Sequence, residues 1–199
     1  MELSPLAKEK LAKIGDLSPA EKEKLKVSEK LTSLLADYFT KKIDVNGLWL
    51  ELKKYKEQGH ESIVRETQVR LLNAITLTSS DADFEHCRNA LLGCETLKEQ
   101  NRYTELEHGL KTLESLRRQY RQEKERAFNT IKESIQQQVE VAARQMLRQT
   151  NNKNISIDIE SSVEATARTS PHWRNFIVEH ERVYGQKFDE LVARIKRLL

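Results

Sequence analysis

The stretch TELEHGLKTLESLRRQYRQEKERAFNTIKESIQQQVEVAARQMLRQ, residues 104–149, decides the fold class. It holds a single glycine, Gly109, and no proline over about 45 residues. As one continuous helix it spans about 68 Å at 1.5 Å per residue. Its apolar positions are Leu106, Leu110, Leu113, Tyr120, Phe128, Ile131, Ile135, Val139, Ala142 and Met146. They recur every three or four residues and form one narrow stripe. Such a length is several times that of an ordinary globular helix, and so narrow a stripe demands a helical partner along it. The helix beginning at Ser18, the helix beginning at Ser80, or a second copy of the chain can supply that partner.

The rest of the chain agrees with a helical class. Of its 199 residues 33% are charged and 38% hydrophobic, with 6 Gly and 3 Pro. An all-β fold needs turn residues far more often than that. Every proline follows a serine, in Ser4-Pro5, Ser18-Pro19 and Ser170-Pro171. Serine caps a helix by accepting a first-turn N–H, and proline fits the next position because its missing N–H was spare there. Glu21 completes a capping box with Ser18. The spacing then predicts helices over Pro5–Ile14 (ending at Gly15), from Ser18 to about Lys42, and from Asp44 to Gly59. Two more follow over Ile63–Leu77 and from Ser80 onward, the last with the stripe Phe84, Cys87, Leu91 and Cys94. Thr104 and Glu107 read as the capping box of the long helix.

Beyond the long helix, Ile155, Ile157 and Ile159 alternate with polar residues after an asparagine cluster, which reads as extended coil before a short helix capped at Ser161. The C-terminal helix begins at Ser170-Pro171. Its stripe is Trp173, Ile177, His180, Tyr184, Phe188, Leu191, Ile195 and Leu198, and it passes Gly185 without losing phase. One helix or two fit it equally. The organisation is therefore all-α: helical hairpins or a bundle, with an N-terminal helical region (1–100), a long coiled-coil-like helix (101–150) and a linker plus amphipathic C-terminal segment (151–199).

The chemistry-bearing residues exclude more than they suggest. Glu105-x-x-His108 matches half of a carboxylate-bridged di-iron pattern, but Glu57-x-x-His60 is broken by Gly59, so no metal is expected. Cys87 and Cys94 lack zinc-ligand spacing. On one helix they stand about 10.5 Å apart along the axis, beyond disulfide reach, and read as reduced core thiols. No nucleophile elbow, phosphate loop or zinc-protease motif occurs, and no cofactor is expected. Apolar runs reach three residues, as in Leu48-Trp49-Leu50, whereas a membrane span needs about 20. A cytoplasmic protein without a membrane span is the expectation.

The net charge is +3 and the pI about 8.8, which permits an anionic partner without implying one. Arg117 and Lys124 fall on the stripe of the long helix. With Arg118 and Arg121 they form a basic cluster that either meets an anionic partner or pairs with carboxylates of a facing helix. Trp173, Ile177, Tyr184 and Phe188 offer a face that is either core or a partner-docking surface. The resulting functional expectation is a non-enzymatic structural or interaction protein (an adaptor, scaffold or helical chaperone) with protein partners, forming a homodimer through its coiled-coil seam. The other reading is a nucleic-acid or anionic-surface binder acting through Arg117, Arg118, Arg121 and Lys124.

Overall fold

The structure, a computed structural model, describes residues 18–149 and 159–199. The expected helix over Pro5–Ile14 and the isoleucine-alternating coil before Ile159 lie outside the described residues. Among those described there are helices and no strands. They are α1 (Pro19–Phe39), α2 (Val45–Glu57), α3 (Ser62–Asn73), α4 (Asp81–Glu95), α5 (Tyr103–Gln149), α6 (Ile159–Thr169) and α7 (Pro171–Lys196). Two compact units result, Met1–Glu107 with Leu198–Leu199, and His108–Arg197. The long helix and the C-terminal segment, separate regions by sequence, thus share one unit.

Local chemistry sets most helix starts. Ser18 accepts from the Glu21 N–H at 3.3 Å while the Glu21 carboxylate accepts from the Ser18 N–H at 2.8 Å. Asp44 caps α2 through the Gly47 N–H at 2.8 Å, and Ser80 caps α4 through the Asp83 N–H at 3.0 Å. After α2 the chain turns at Gly59 with φ +87°, a left-handed conformation in which a Cβ would be strained. The helix expected to reach Leu77 stops at Asn73. Beyond it Ile75 stays buried, and the hydroxyl of Ser79 accepts from the Thr76 N–H at 2.9 Å.

The first unit packs α1–α4 around an aliphatic core. Leu31, Leu48, Leu52, Ile63, Leu71, Leu72 and Leu91 are all at most 1% exposed. Burying a side chain of that size contributes about 1.5–3 kcal/mol. Tyr38 joins them by stacking on His86 at 4.0 Å and donating its hydroxyl to the His86 carbonyl at 2.7 Å. Glu95, 1% exposed, accepts from Gln68 at 2.7 Å, from Lys98 at 2.8 Å and from the Arg102 N–H at 2.8 Å. That last bond corrects the expected cap of the long helix, whose start lies within one residue of the expected Thr104. α5 begins at Tyr103, so Thr104 lies within its first turn, and a carboxylate from α4 takes the place of a local capping box.

The second unit is an antiparallel pairing of α5 with α7. Tyr120 meets Tyr184 with ring centroids 5.6 Å apart, and Phe128 meets Trp173 at 4.9 Å. Near the other end, a Cβ added to Gly109 would lie 3.0 Å from Ile195 Cγ1. The glycine leaves room for the Ile195 side chain against the backbone of α5. The partner of the long stripe is therefore the chain's own C-terminal helix, which is none of the three candidates that periodicity offers. α6 starts at Ile159, ahead of Ser161. It buries Val163 and Ala167 and lays the Arg168 guanidinium 4.9 Å over the Phe128 ring. Ser170 joins α6 to α7, accepting from the Trp173 N–H at 3.1 Å and donating to the Ala167 carbonyl at 2.9 Å. α7 continues through Gly185 as one helix.

Candidate interaction surface

The stripe of α5 changes character along its length. Leu110, Leu113, Arg117 and Tyr120 are buried, Phe128, Ile131, Ile135 and Val139 are half-buried, and Ala142 is exposed. Where it is buried, α7 covers it with a run of rings. His180 stacks between Tyr120 and Phe176, each at 4.9 Å, and lies 4.5 Å from Tyr184. The Tyr184 hydroxyl donates to the Glu123 carboxylate, which holds that carboxyl below its usual range, with burial opposing and Gln119 assisting. Burial, then the Glu123 bond and charge, push the Tyr184 hydroxyl up to about 12.

The basic cluster does not form one exposed patch. Arg117 is 0% exposed. Arg118 pairs with Glu114 one turn back at 3.0 Å, and Arg121 is half-buried. Lys124 sits 5.5 Å over the Tyr120 ring and 3.7 Å from Glu181 of α7. The expected docking face is likewise turned inward. Trp173 and Tyr184 pack on α5, while Ile177 and Phe188 are half-buried. Its occupant is the chain's own long helix.

What stays open is the far end of α5. A groove of about 700 Å³ lies between Ile131, Ser134, Ile135 and Gln138 of α5 and Thr166, Thr169 and Pro171 across from them. A second groove of about 430 Å³ adjoins it, lined by Ser134, Gln137, Gln138, Val141, Ala142 and Gln145. In a chain that is 33% charged, neither lining contains Asp, Glu, Lys or Arg. The nearby charges are turned elsewhere, with Glu140 pairing to Arg144 at 3.6 Å. Val141 is 54% exposed. Depletion of charge about an apolar centre is the compositional signature of an interface core. Periodicity places Ile131, Ile135 and Ala142 on the stripe but does not single out this face. Its signal in the sequence is the run of missing charges at 134–138 and 141–143.

Other chemistry-bearing residues are occupied in packing or stand apart. Burial pushes the Cys87 thiol up to about 11 and the Cys94 thiol to about 12. Both thiols are free and buried. Glu105 and His108 are exposed. Among the described residues no helix is long and apolar enough to cross a membrane.

Residues 49–197 match a family of unknown function (DUF6657). The chain belongs to that family. The match runs from within α2 to just past the end of α7, so it takes in the open end of α5 and leaves out α1. No curated protein and no solved structure matches the chain.

Proposed function

We propose that this member of the family is a non-enzymatic helical interaction protein, a scaffold or adaptor that self-associates through the open end of α5. The observation that carries this reading is the charge-free stripe beyond Phe128. Ile131, Ile135, Gln138, Ala142 and Gln145 continue at spacings of 4, 3, 4 and 3, the heptad rhythm of a coiled-coil seam. The aromatic part of α7 matches α5 as far as Phe128 and leaves this stripe half-covered.

A second copy fits it better than a charged partner does. In a parallel two-fold pairing of α5 each stripe position faces its own copy, so any charge on it would meet a like charge, at a cost of several kcal/mol. This stripe carries none. The amides of Gln138 and Gln145 both donate and accept, so each can pair with its own copy. The free thiols accord with a reducing, cytoplasmic address. Their protonated state, and the use of Glu95 and Arg117 inside the packing, accord with a non-catalytic role.

Light scattering coupled to size exclusion tests the proposal. At micromolar concentration the chain should elute at twice its mass of 23.2 kDa. Gln138→Glu with Val141→Glu should return it to a monomer, since both positions are exposed and both new carboxylates would face their copies. A wild-type monomer would overturn self-association, and a dimer that survives both substitutions would overturn its placement on this face.

A further inference from the structure

His180 is a polar group in a place that asks for an apolar one. Its side chain is 5% exposed and packed among Tyr120, Phe176 and Tyr184. Both ring nitrogens are buried and neither has a hydrogen-bond partner. The nearest carboxylate oxygen, Glu123 Oε2, is 3.7 Å from Nε2. That carboxylate is already engaged by the Tyr184 hydroxyl and by the Gln119 amide at 3.0 Å. A phenylalanine would fill the same space with no polar group left unsatisfied. What a histidine adds is a charge that can be switched on near neutral pH.

Burial makes that charge unwelcome, and the charged groups around the ring are of both signs. α5 presents Glu123 and Lys124 to the ring, with Arg117 and Arg121 within a turn of Tyr120. α7 itself contributes Glu179, Glu181 and Lys187. α6 brings Glu164 and Arg168, which engage Lys132 and Phe128 further along α5.

We propose that His180 is an acid-operated latch, whose protonation opens the α5–α7 seam locally between Tyr120 and Tyr184. An imidazolium has two N–H donors and needs two acceptors. Glu123 Oε2, at 3.7 Å, lies beyond hydrogen-bond distance of Nε2, so it can accept that bond only after the ring or the carboxylate shifts. Nδ1 is buried without a partner, and its route to water is the adjoining cleft of about 370 Å³, which His180 lines together with Glu123, Glu179, Val183 and Lys187. Turning the ring toward that cleft unstacks it from Tyr120 and Phe176, and the rings become accessible. Burial lowers the basicity of the ring below the ordinary 6.5, Glu123 opposes this and Lys124 adds to it. The unfolded chain therefore takes up this proton first. The stability contributed by the neutral ring is whole above pH 6.5 and drains away as pH falls from there to the lowered folded value.

Trp173 reports on the seam from one helical turn beyond Phe176, against which it stacks at 5.6 Å. In a Trp49→Phe background it is the sole tryptophan. Its emission should move reversibly to the red between about pH 8 and about pH 4.5, the range over which an imidazole of lowered basicity takes its proton. His180→Phe should remove that shift, and His180→Gln should remove it as well, which keeps the test valid if the phenylalanine variant folds poorly. A shift of equal size in either folded variant would overturn the latch. So would a wild-type emission that stays constant over the range.

Discussion

The α1–α4 cluster and the α5–α7 hairpin are built from the same amphipathic material and bury it differently. In the cluster, side chains converge from four helices. Leu31, Leu52, Leu71 and Leu91 are 0% exposed, and the polar group in their midst, Glu95, is matched by three donors. In the hairpin α7 lies along α5 with only the short α6 beside them, so burial is confined largely to a line. Large rings fill that line, the polar His180 within it lacks hydrogen bonds, and the line opens to solvent beyond Phe128. A cluster can close its core on all sides, whereas a two-helix seam keeps flanks. Those flanks carry the proposed self-association and the proposed acid-operated latch.

The contrast can be broken most directly through the aliphatic core. Leu71→Ala should cost about 2–5 kcal/mol, the range for a fully buried leucine. Ile131→Ala, half-buried on the hairpin, should cost about 1 kcal/mol, a fraction of the full burial value. Urea unfolding of the two variants measures both, and equal losses would remove the distinction drawn between the regions.

A smaller effect separates the polar groups. Glu95→Gln should cost about 1.5–3 kcal/mol, the value of hydrogen bonds to a charged group. Burial raises the Glu95 carboxyl, but the Arg102 N–H, Lys98 and Gln68 outweigh it and hold it below the ordinary 4.5. Its contribution is thus present above pH 4.5 and lost as pH falls through the depressed value. Stability followed against pH should lose that acid-range decline in Glu95→Gln and keep the decline that starts near pH 6.5 from His180.

The smallest effect lies in two glycines of the hairpin. Gly185 is helical, and a methyl group added there would meet nothing within 4 Å, so Gly185→Ala should stabilise by up to about 1 kcal/mol through helix propensity. At Gly109 the same methyl would press on Ile195 Cγ1 at 3.0 Å, and the gain should be cancelled. Melting temperatures compare the two. An equal rise in both would mean that the seam has slack at its Gly109 end.

Much of the architecture was legible residue by residue. Ser18, Asp44, Ser80 and Ser170 cap the helices that their spacing announced, and Gly59 turns the chain after α2. These are local bonds across three residues, so the sequence contains both partners side by side. The capping group of α5 was not legible, because the Arg102 N–H at its threshold is served by Glu95 from another helix. The basic cluster was legible as composition alone. Whether Arg117 faces water or the seam depends on which helix lies opposite.

Sequence by itself therefore determined the helical class, the helix starts at Ser18, Asp44, Ser80 and Ser170, the continuity of the long stripe and the phase of the C-terminal one. Tertiary structure decided which stripe meets which. It matched α5 with α7 ring by ring, turned Trp173 and Tyr184 inward, and left the stripe from Ile131 to Gln145 open along its flank. The physical reason is one of range. Capping and periodicity act over three or four residues, whereas the pairing of Tyr120 with Tyr184 is settled by packing between segments 64 residues apart, for which many apolar stripes offer similar hydrophobic gain and only close fit distinguishes them.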